Sequence, residues 1–193
     1  MILTAFDTET SGLPEYEKPS DDESQPHIVQ LAAKQVDWET GEIVQSMKFI
    51  VKPSGWVIPP EVVEIHGIDN HKATRFGVDE NLVAGMFIEM VKRSDMIVAH
   101  NASFDKRIVR IAMMRFFGRA IADDVKQYMS KERTICTMNK SIKTVGAGRY
   151  PSLAKCYKHF TGEDLKNAHD AEADLDACLV VLRGLVEQGA VEF

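Results

Sequence analysis

The feature that most constrains this sequence is a largely apolar run, residues 2–6, followed at once by the acids Asp7 and Glu9. Such a short apolar run predicts a buried strand. Side chains at positions i and i+2 of an extended chain share a face, so the two carboxylates should lie side by side at the strand end. Like charges that close are unfavourable unless one is protonated or a cation lies between them. Two interpretations follow: a frayed end with hydrated acids, or a site for a hard cation such as Mg²⁺ or Mn²⁺.

The composition is that of an ordinary globular protein, with 193 residues, 45% hydrophobic and 27% charged. This length predicts one domain, residues 1–193, that buries its own core. No apolar run is long enough to span a bilayer and the N-terminus lacks a secretory signal, so we expect a cytoplasmic protein with no membrane partner. The three cysteines are widely spaced and suit neither a disulfide framework nor a zinc site.

Hydrophobic spacing and turn residues predict the order of the elements. Strands are expected at residues 2–6, 27–38, 42–51, 95–101 and 132–136. Helices are expected at residues 79–92, 103–117, 152–160 and 170–188, with one helical turn at 61–65. The fold class is therefore α/β, with a five-stranded mixed sheet whose first three strands are antiparallel and which is flanked by helices.

Charge is distributed unevenly along the chain. Residues 14–26 contain five acids and one lysine, a composition that predicts a mobile surface loop inserted into the domain. Residues 106–158 contain thirteen Lys and Arg against three acids, whereas the whole chain has a net charge of −6. This asymmetry indicates either a basic face suited to nucleic acid or ordinary solvated helix faces.

Three short stretches place acids at strand ends or in first helical turns, where an α/β sheet presents ligands. A fourth, Ile65-His66-Gly67-Ile68, lies between the first two. The three are residues 6–13 with Asp7 and Glu9, residues 99–105 ending in Asp105, and residues 169–174 with His169 and Asp174.

In this order, the motifs resemble those of the DEDDh family of 3′-to-5′ exonucleases in the ribonuclease H-like superfamily. That family includes polymerase proofreading subunits, exodeoxyribonuclease X-type enzymes, RNase T-like enzymes and oligoribonucleases. The matching patterns are D-x-E-T-x-G-L, N-x-x-F-D and H-x-x-x-x-D, and the fourth stretch is similar to a shorter family signature. The resemblance covers most of the chain and departs at residues 14–26, which are longer and more acidic than the usual link.

The resemblance implies hydrolysis of nucleic acid by two divalent cations, Mg²⁺ or Mn²⁺. Asp7 would bridge both cations, Glu9 and Asp174 would complete one, and Asp105 would act on the other. His169 would be the general base. Because five residues along a helix rotate by about 140°, His169 and Asp174 can reach one site only if His169 precedes the helix, with Asp170 as its N-cap.

At the substrate end, the resemblance implies contacts that tolerate any base. The backbone around Thr8 and Thr10 would meet the terminal 3′ hydroxyl, while Leu13 and His66 would flank the last bases. Phe104 would either stack on a base or pack in the core. The remaining candidates are Asn101 of the second motif and a basic run for the phosphate backbone, Lys140, Lys143, Arg149, Lys155 and Lys158.

The leading hypothesis is a 3′-to-5′ exonuclease that releases nucleoside 5′-monophosphates from a free 3′ end, with single-stranded DNA favoured as partner. An exoribonuclease acting on RNA is the alternative, because the 2′-hydroxyl is sensed by local contacts that the sequence does not locate. A non-catalytic binding module is disfavoured, since all five chemical residues are present. The short stretch after Gln188 predicts a stand-alone enzyme, and the resemblance also allows a homodimer.

Overall fold

The computed structural model describes residues 1–146 and 148–193. Five strands form one mixed sheet: β1 Ile2–Thr10, β2 Ile28–Asp37, β3 Ile43–Ile50, β4 Met96–Ala99 and β5 Thr134–Cys136. Their order is β3-β2-β1-β4-β5. The first three strands are antiparallel, whereas β4 pairs parallel with β1 and β5 pairs parallel with β4. The predicted α/β class and mixed sheet are confirmed.

The α-helices are α1 Pro60–His66, α2 Asn70–Phe76, α3 Glu80–Lys92, α4 Ala102–Lys126, α5 Thr137–Thr144, α6 Leu153–Thr161 and α7 Ala171–Glu187. One core cluster joins Phe6 and Leu31 of the sheet to residues of α3 and α4. A second cluster joins Leu3 and Ala5 to α6 and α7. The sheet is thus covered on both faces, and β1 at its centre contributes alternate side chains to each core.

None of the helices among the described residues is both long enough and apolar enough to cross a bilayer.

The observed strands and helices differ in places from those predicted from the sequence, for physical reasons. Strand β1 continues through Thr10 because Asp7 to Thr10 pair with β2, so the carboxylates lie within the strand rather than beyond its end. Helix α4 is broken at Gly118, whose φ of 77° is not helical, so the predicted helix end at this glycine is confirmed; a second helical segment then continues to Lys126. Helices α2 and α5 were not predicted, because segments of seven or eight residues carry too few apolar positions to show a helical period.

The loop of residues 14–26 is folded against the protein, contrary to the predicted mobility. Gln25 is only 1% exposed, and its side-chain amide donates to the carbonyls of Glu15 and Pro19. Arg107 of α4 donates to the hydroxyl of Ser20 and to the carbonyl of Lys18. Polar composition misled the prediction because these polar groups satisfy one another within the loop and on α4.

A glycine in α7 sets how closely the two helices on one face approach. A Cβ at Gly184 would overlap the ring of Phe160 in α6, whereas a Cβ at Gly85 in α3 would meet only ordinary contact, 3.6 Å from Phe117. Gly184→Ala should destabilise the protein by about 1–3 kcal/mol through overpacking. The control Gly85→Ala should be neutral or stabilising by up to about 1 kcal/mol. Urea unfolding measures both, and equal midpoints for the two variants would contradict this account of the α6–α7 contact.

Candidate active site

Because side chains of a strand alternate between the two faces of the sheet, the position of each acid in β1 decides which face it points to. Leu3 and Ala5 belong to the core beneath α7, and successive odd-numbered side chains of the strand continue on that face. Asp7 and Glu9 therefore extend this row toward the N-terminal end of α7. The even-numbered Thr8 points to the opposite face, toward α4.

The start of α7 brings a histidine and an acid together. Asp170 caps the helix, accepting from the N–H groups of Glu172 and Ala173 at 3.2 Å. His169 lies just before the helix with φ 67°, and its backbone N–H donates to Asp174 Oδ2 at 3.0 Å. Ligand atoms of Glu9, His169 and Asp174 lie within 4.8 Å of one another. The predicted placement of His169 before the helix and of Asp170 as its cap is confirmed.

Asp105 joins the cluster from the first turn of α4. It is 2% exposed, and its Oδ1 accepts from the hydroxyl of Thr8 at 2.8 Å and from the N–H of Thr8 at 3.2 Å. The backbone around Thr8 is expected to meet the substrate, and in the structure both the hydroxyl and the N–H of Thr8 donate to Asp105. The alternation of β1 is the signal that could have assigned Thr8 to the α4 side.

Burial and mutual repulsion disfavour the charged forms of these acids. Burial, followed by the charge of Asp174, raises the pKa of Glu9 to about 8. Burial raises the pKa of Asp105 to about 7, although the hydrogen bonds from Thr8 oppose the shift. Burial and the charges of Asp105 and Glu9 raise the pKa of Asp7 well above its usual range, and burial also raises that of Asp174. A protonated acid in the cluster, expected from the like charges, is thus supported.

The donor set fits hard divalent cations. Asp7, Glu9, Asp105 and Asp174 offer only carboxylate oxygens, the ligands that Mg²⁺ and Mn²⁺ prefer. Asp174 Oδ1 is buried and has no hydrogen-bond partner among the described residues. Because buried polar atoms are nearly always satisfied, such an oxygen is suited to a cation.

The predicted substrate residues differ in how exposed their side chains are and in the contacts that they make within the protein. Leu13, just beyond β1, is 82% exposed, and the hydroxyl of Thr10 donates to the carbonyl of Gly12 at 2.7 Å. Burial and the nearby His169 lower the pKa of His66, which lies beside the backbone of Thr10.

Two further candidates belong to the second motif. Asn101 directly precedes α4 with φ 65°, and its side chain accepts from the hydroxyl of Ser103 at 3.1 Å. Phe104 is partly buried against the core shared with α3 and α4, which is the packing alternative considered above. Neither side chain is therefore as open to a ligand as that of Leu13.

Sequence reasoning missed two polar residues that hold the start of α7 on the sheet. Gln30 of β2 lies opposite Glu9, and its side-chain oxygen accepts from the N–H of Ala171 at 2.9 Å. Lys48 of β3 forms an ion pair with Asp170 at 2.7 Å. Gln30 could have been found as the single polar residue within the otherwise apolar run of residues 28–33.

The predicted basic run lies exposed on α5, α6 and the segment between them, although Lys158 pairs with Asp164 at 2.7 Å. Other cations of residues 106–158 are engaged within the protein. Arg110 pairs with Asp123 at 2.7 Å, and Arg119 pairs with Asp21 at 2.9 Å. Several of the Lys and Arg side chains of residues 106–158 therefore form ion pairs within the protein.

A family model for exonucleases matches residues 4–182 of the chain. Ribonuclease T of Actinobacillus pleuropneumoniae serotype 5b (strain L20) is 34% identical over 100 residues, which is 46% of each chain. Ribonuclease T of Haemophilus influenzae (strain PittGG) is 38% identical over 81 residues, 37% of this chain and 35% of the relative. The chain thus spans less than half the length of the curated relatives it matches.

Solved structures of exonuclease I share the fold. One superposes with a TM-score of 0.74 at 22% identity and covers 97% of this chain and 41% of its own. E. coli exonuclease I in complex with a dT13 oligonucleotide gives a TM-score of 0.71 at 21% identity, covering 96% of this chain and 41% of its own. The exonuclease fold expected from the motifs is confirmed.

The raised pKa of Glu9 predicts a stability that falls with pH. Between pH 4.5, its ordinary pKa, and about 8, the folded protein keeps a proton that the unfolded chain releases. This contribution to stability is full below the ordinary pKa and is lost as pH rises through about 8. In the presence of a chelator, the thermal midpoint of the wild type should therefore decline over this window, and Glu9→Gln should decline less.

Glu61→Gln, on an exposed position of α1, is the matched control and should follow the wild type. Adding Mg²⁺ should raise the midpoint of the wild type more at pH 8 than at pH 5, because ionised carboxylates bind it better. Identical pH slopes for wild type and Glu9→Gln would show that the carboxylate of Glu9 is not held in its protonated form.

Proposed function

Because the chain belongs to the exonuclease family, we propose that it hydrolyses single-stranded DNA from the 3′ end and releases nucleoside 5′-monophosphates. One observation carries this proposal: four carboxylates from β1, α4 and α7 have raised pKa values, and ligand atoms of Glu9, His169 and Asp174 lie within 4.8 Å of one another. Such a cluster is unfavourable by itself and becomes favourable with cations and a phosphate.

The proposed cofactors are two divalent cations, Mg²⁺ or Mn²⁺, held by Asp7, Glu9, Asp105 and Asp174. When bound, they would neutralise charge on the phosphate and favour ionisation of the attacking water. The protein's part is to hold its oxygens in place before binding. Thr8 does this for Asp105 with two hydrogen bonds, and the N–H of His169 does it for Asp174.

His169 is proposed to take the proton from the attacking water. Its side chain is exposed beside the partly buried Glu9 and Asp174, so it would meet both the attacking water and the solvent that receives the proton. Imidazole changes protonation near neutral pH, which suits this transfer. Gln30 and the Lys48–Asp170 pair fix the segment that carries His169.

At the 3′ end, the exposed side chain of Leu13 and the adjacent His66 are proposed to contact the last bases. Apolar contact and stacking tolerate any base, so we expect little sequence preference. The backbone at Thr10 is proposed to receive the 3′ hydroxyl. Thr8 is proposed to contribute mainly by holding Asp105, rather than through the substrate contact that the motif predicts for its backbone.

An exoribonuclease is the second candidate, and the relatives' names support it. The curated relatives at 34% and 38% identity are ribonucleases T, whereas the exonuclease I bound to dT13 is 21% identical. A contact with the 2′-hydroxyl separates the two substrates. Matched DNA and RNA strands labelled at the 5′ end, incubated with Mg²⁺ or Mn²⁺, distinguish the candidates by which ladder shortens.

Asp174→Ala should lower the rate of 3′ degradation by about a hundredfold or more, because it removes charge stabilisation at the reacting phosphate. The control is Asp176→Ala on the exposed face of the same helix, where the acid pairs with Lys34. The control should degrade the strand at the wild-type rate. Blocking the 3′ end should stop degradation by the wild type, and continued shortening of blocked strands would refute the direction.

His169→Ala should lower the rate by about 10²-fold to 10⁴-fold at neutral pH, the usual contribution of a general base. The loss should shrink as pH rises, because the attacking water then ionises without help. His159→Ala, on an exposed position of α6, is the control and should keep the wild-type profile. A pH–rate profile for His169→Ala parallel to that of the wild type would exclude the base role.

A further inference from the structure

Two adjoining cavities run along the outer side of α4. One has a volume of about 550 Å³ and the other about 520 Å³, and Ser103, Lys106 and Lys131 line both. Ser103 lies in the first turn of α4, two residues before Asp105. The two cavities together, here called the α4 groove, therefore begin at the end of the helix that carries an active-site acid.

The α4 groove combines a cationic rim with an apolar floor. Met113, Val125 and Met129 are buried beneath it, and Tyr16, 62% exposed, lines one side. Negative charges together with flat apolar rings are the features of a nucleic-acid strand, which binds through phosphates and stacked bases. The cations of the rim are Lys106, Arg107, Arg110, Lys126, Lys131 and Lys140, against two acids, Glu132 and Glu192, that also line the second cavity.

Two of these cations are available to a ligand. Lys126 and Lys131 are exposed and form no ion pair within the described part of the chain. By contrast, Arg110 pairs with Asp123, and Lys106 donates to the hydroxyl of Thr134 at 3.0 Å. A phosphate in the groove would thus meet lysines that need not give up a partner in the protein.

The loop of residues 14–26 borders the first cavity of the groove through Tyr16. Arg107 holds it on α4, and two of its acids are neutralised, Glu15 by Lys18 and Asp21 by Arg119. The loop follows the exposed Leu13 directly and places Tyr16 at the groove. The exposed side chains of Leu13 and Tyr16 therefore lie along the chain between the active-site strand and the cationic rim.

We propose that the α4 groove binds the nucleotides that lie 5′ of the cleaved end, with phosphates on Lys126 and Lys131 and a base against Tyr16. The inference rests on the proposed function and extends it to the path of the strand. It differs from the path expected from sequence, since Lys140 alone of the predicted basic run lines the groove. It also gives the loop a role in admitting single strands.

The test uses the double variant Lys126→Glu with Lys131→Glu, and Tyr16→Ala. Its control is Lys92→Glu with Arg183→Glu, an equal charge change on α3 and α7 at residues that line neither cavity. Binding of a fluorescent single strand of about twelve nucleotides is measured by anisotropy in chelator over a range of salt. Hydrolysis of a dinucleotide, too short to reach the groove, is measured with Mg²⁺.

The double variant should bind the long strand at least tenfold more weakly than the control, with a salt dependence shallower by about 1.4 in log–log slope for two lost phosphate contacts. Tyr16→Ala should weaken the same binding severalfold, and dinucleotide hydrolysis should stay within twofold of the wild type for every variant. Equal binding by the double variant and the control would overturn the groove, as would a wild type that binds long and short strands equally. If the wild type binds long strands but hydrolyses neither substrate, the proposed function fails while the groove stands.

Discussion

The repulsion among four clustered carboxylates, Asp105 buried and the other three partly buried, is the constraint on which the rest of this structure depends. Asp7 and Glu9 come from β1, Asp105 from α4 and Asp174 from α7, so three elements must be held against a force that separates them. The opposing stabilisation comes from the two cores on either face of β1. Because those cores fix the helices independently of the site, the acids stay assembled at a pH where they are partly ionised.

The two-residue period of β1 distributes the chemistry over the two faces of the sheet. Odd positions change from core residues, Leu3 and Ala5, to the acids, while even positions change from Phe6 to Thr8. Thr8 holds Asp105 on one side as the acids meet the start of α7 on the other. The same strand thus supplies both packing and ligands, and a shift of one residue in its register would exchange them.

The sequence predicted what depends on local pattern, and missed what depends on distant pairing. The five-stranded mixed sheet, the acids and the placement of His169 before α7 follow from apolar runs, motif spacing and helical geometry. The contacts of Gln30 with Ala171 and of Lys48 with Asp170 join residues more than a hundred positions apart; the polar Gln30 stands out in its apolar run, but no local pattern indicates either partner. Helix α2 was missed because its stability comes from the cap by Asp69 and from packing of Ala73, not from a periodic apolar face.

The loop of residues 14–26 shows why composition misjudges order and charge. Its acids suggested a mobile surface loop, yet Arg107 anchors its carbonyls and Arg119 neutralises Asp21. These contacts engage two arginines that belong to the basic surplus of residues 106–158. What matters for a strand of phosphates is therefore which cations remain unpaired and where, and that depends on the fold rather than on the net charge of −6. Among the described residues, Lys126 and Lys131 form no ion pair, whereas Arg107 and Arg119 of the same region are engaged by the loop.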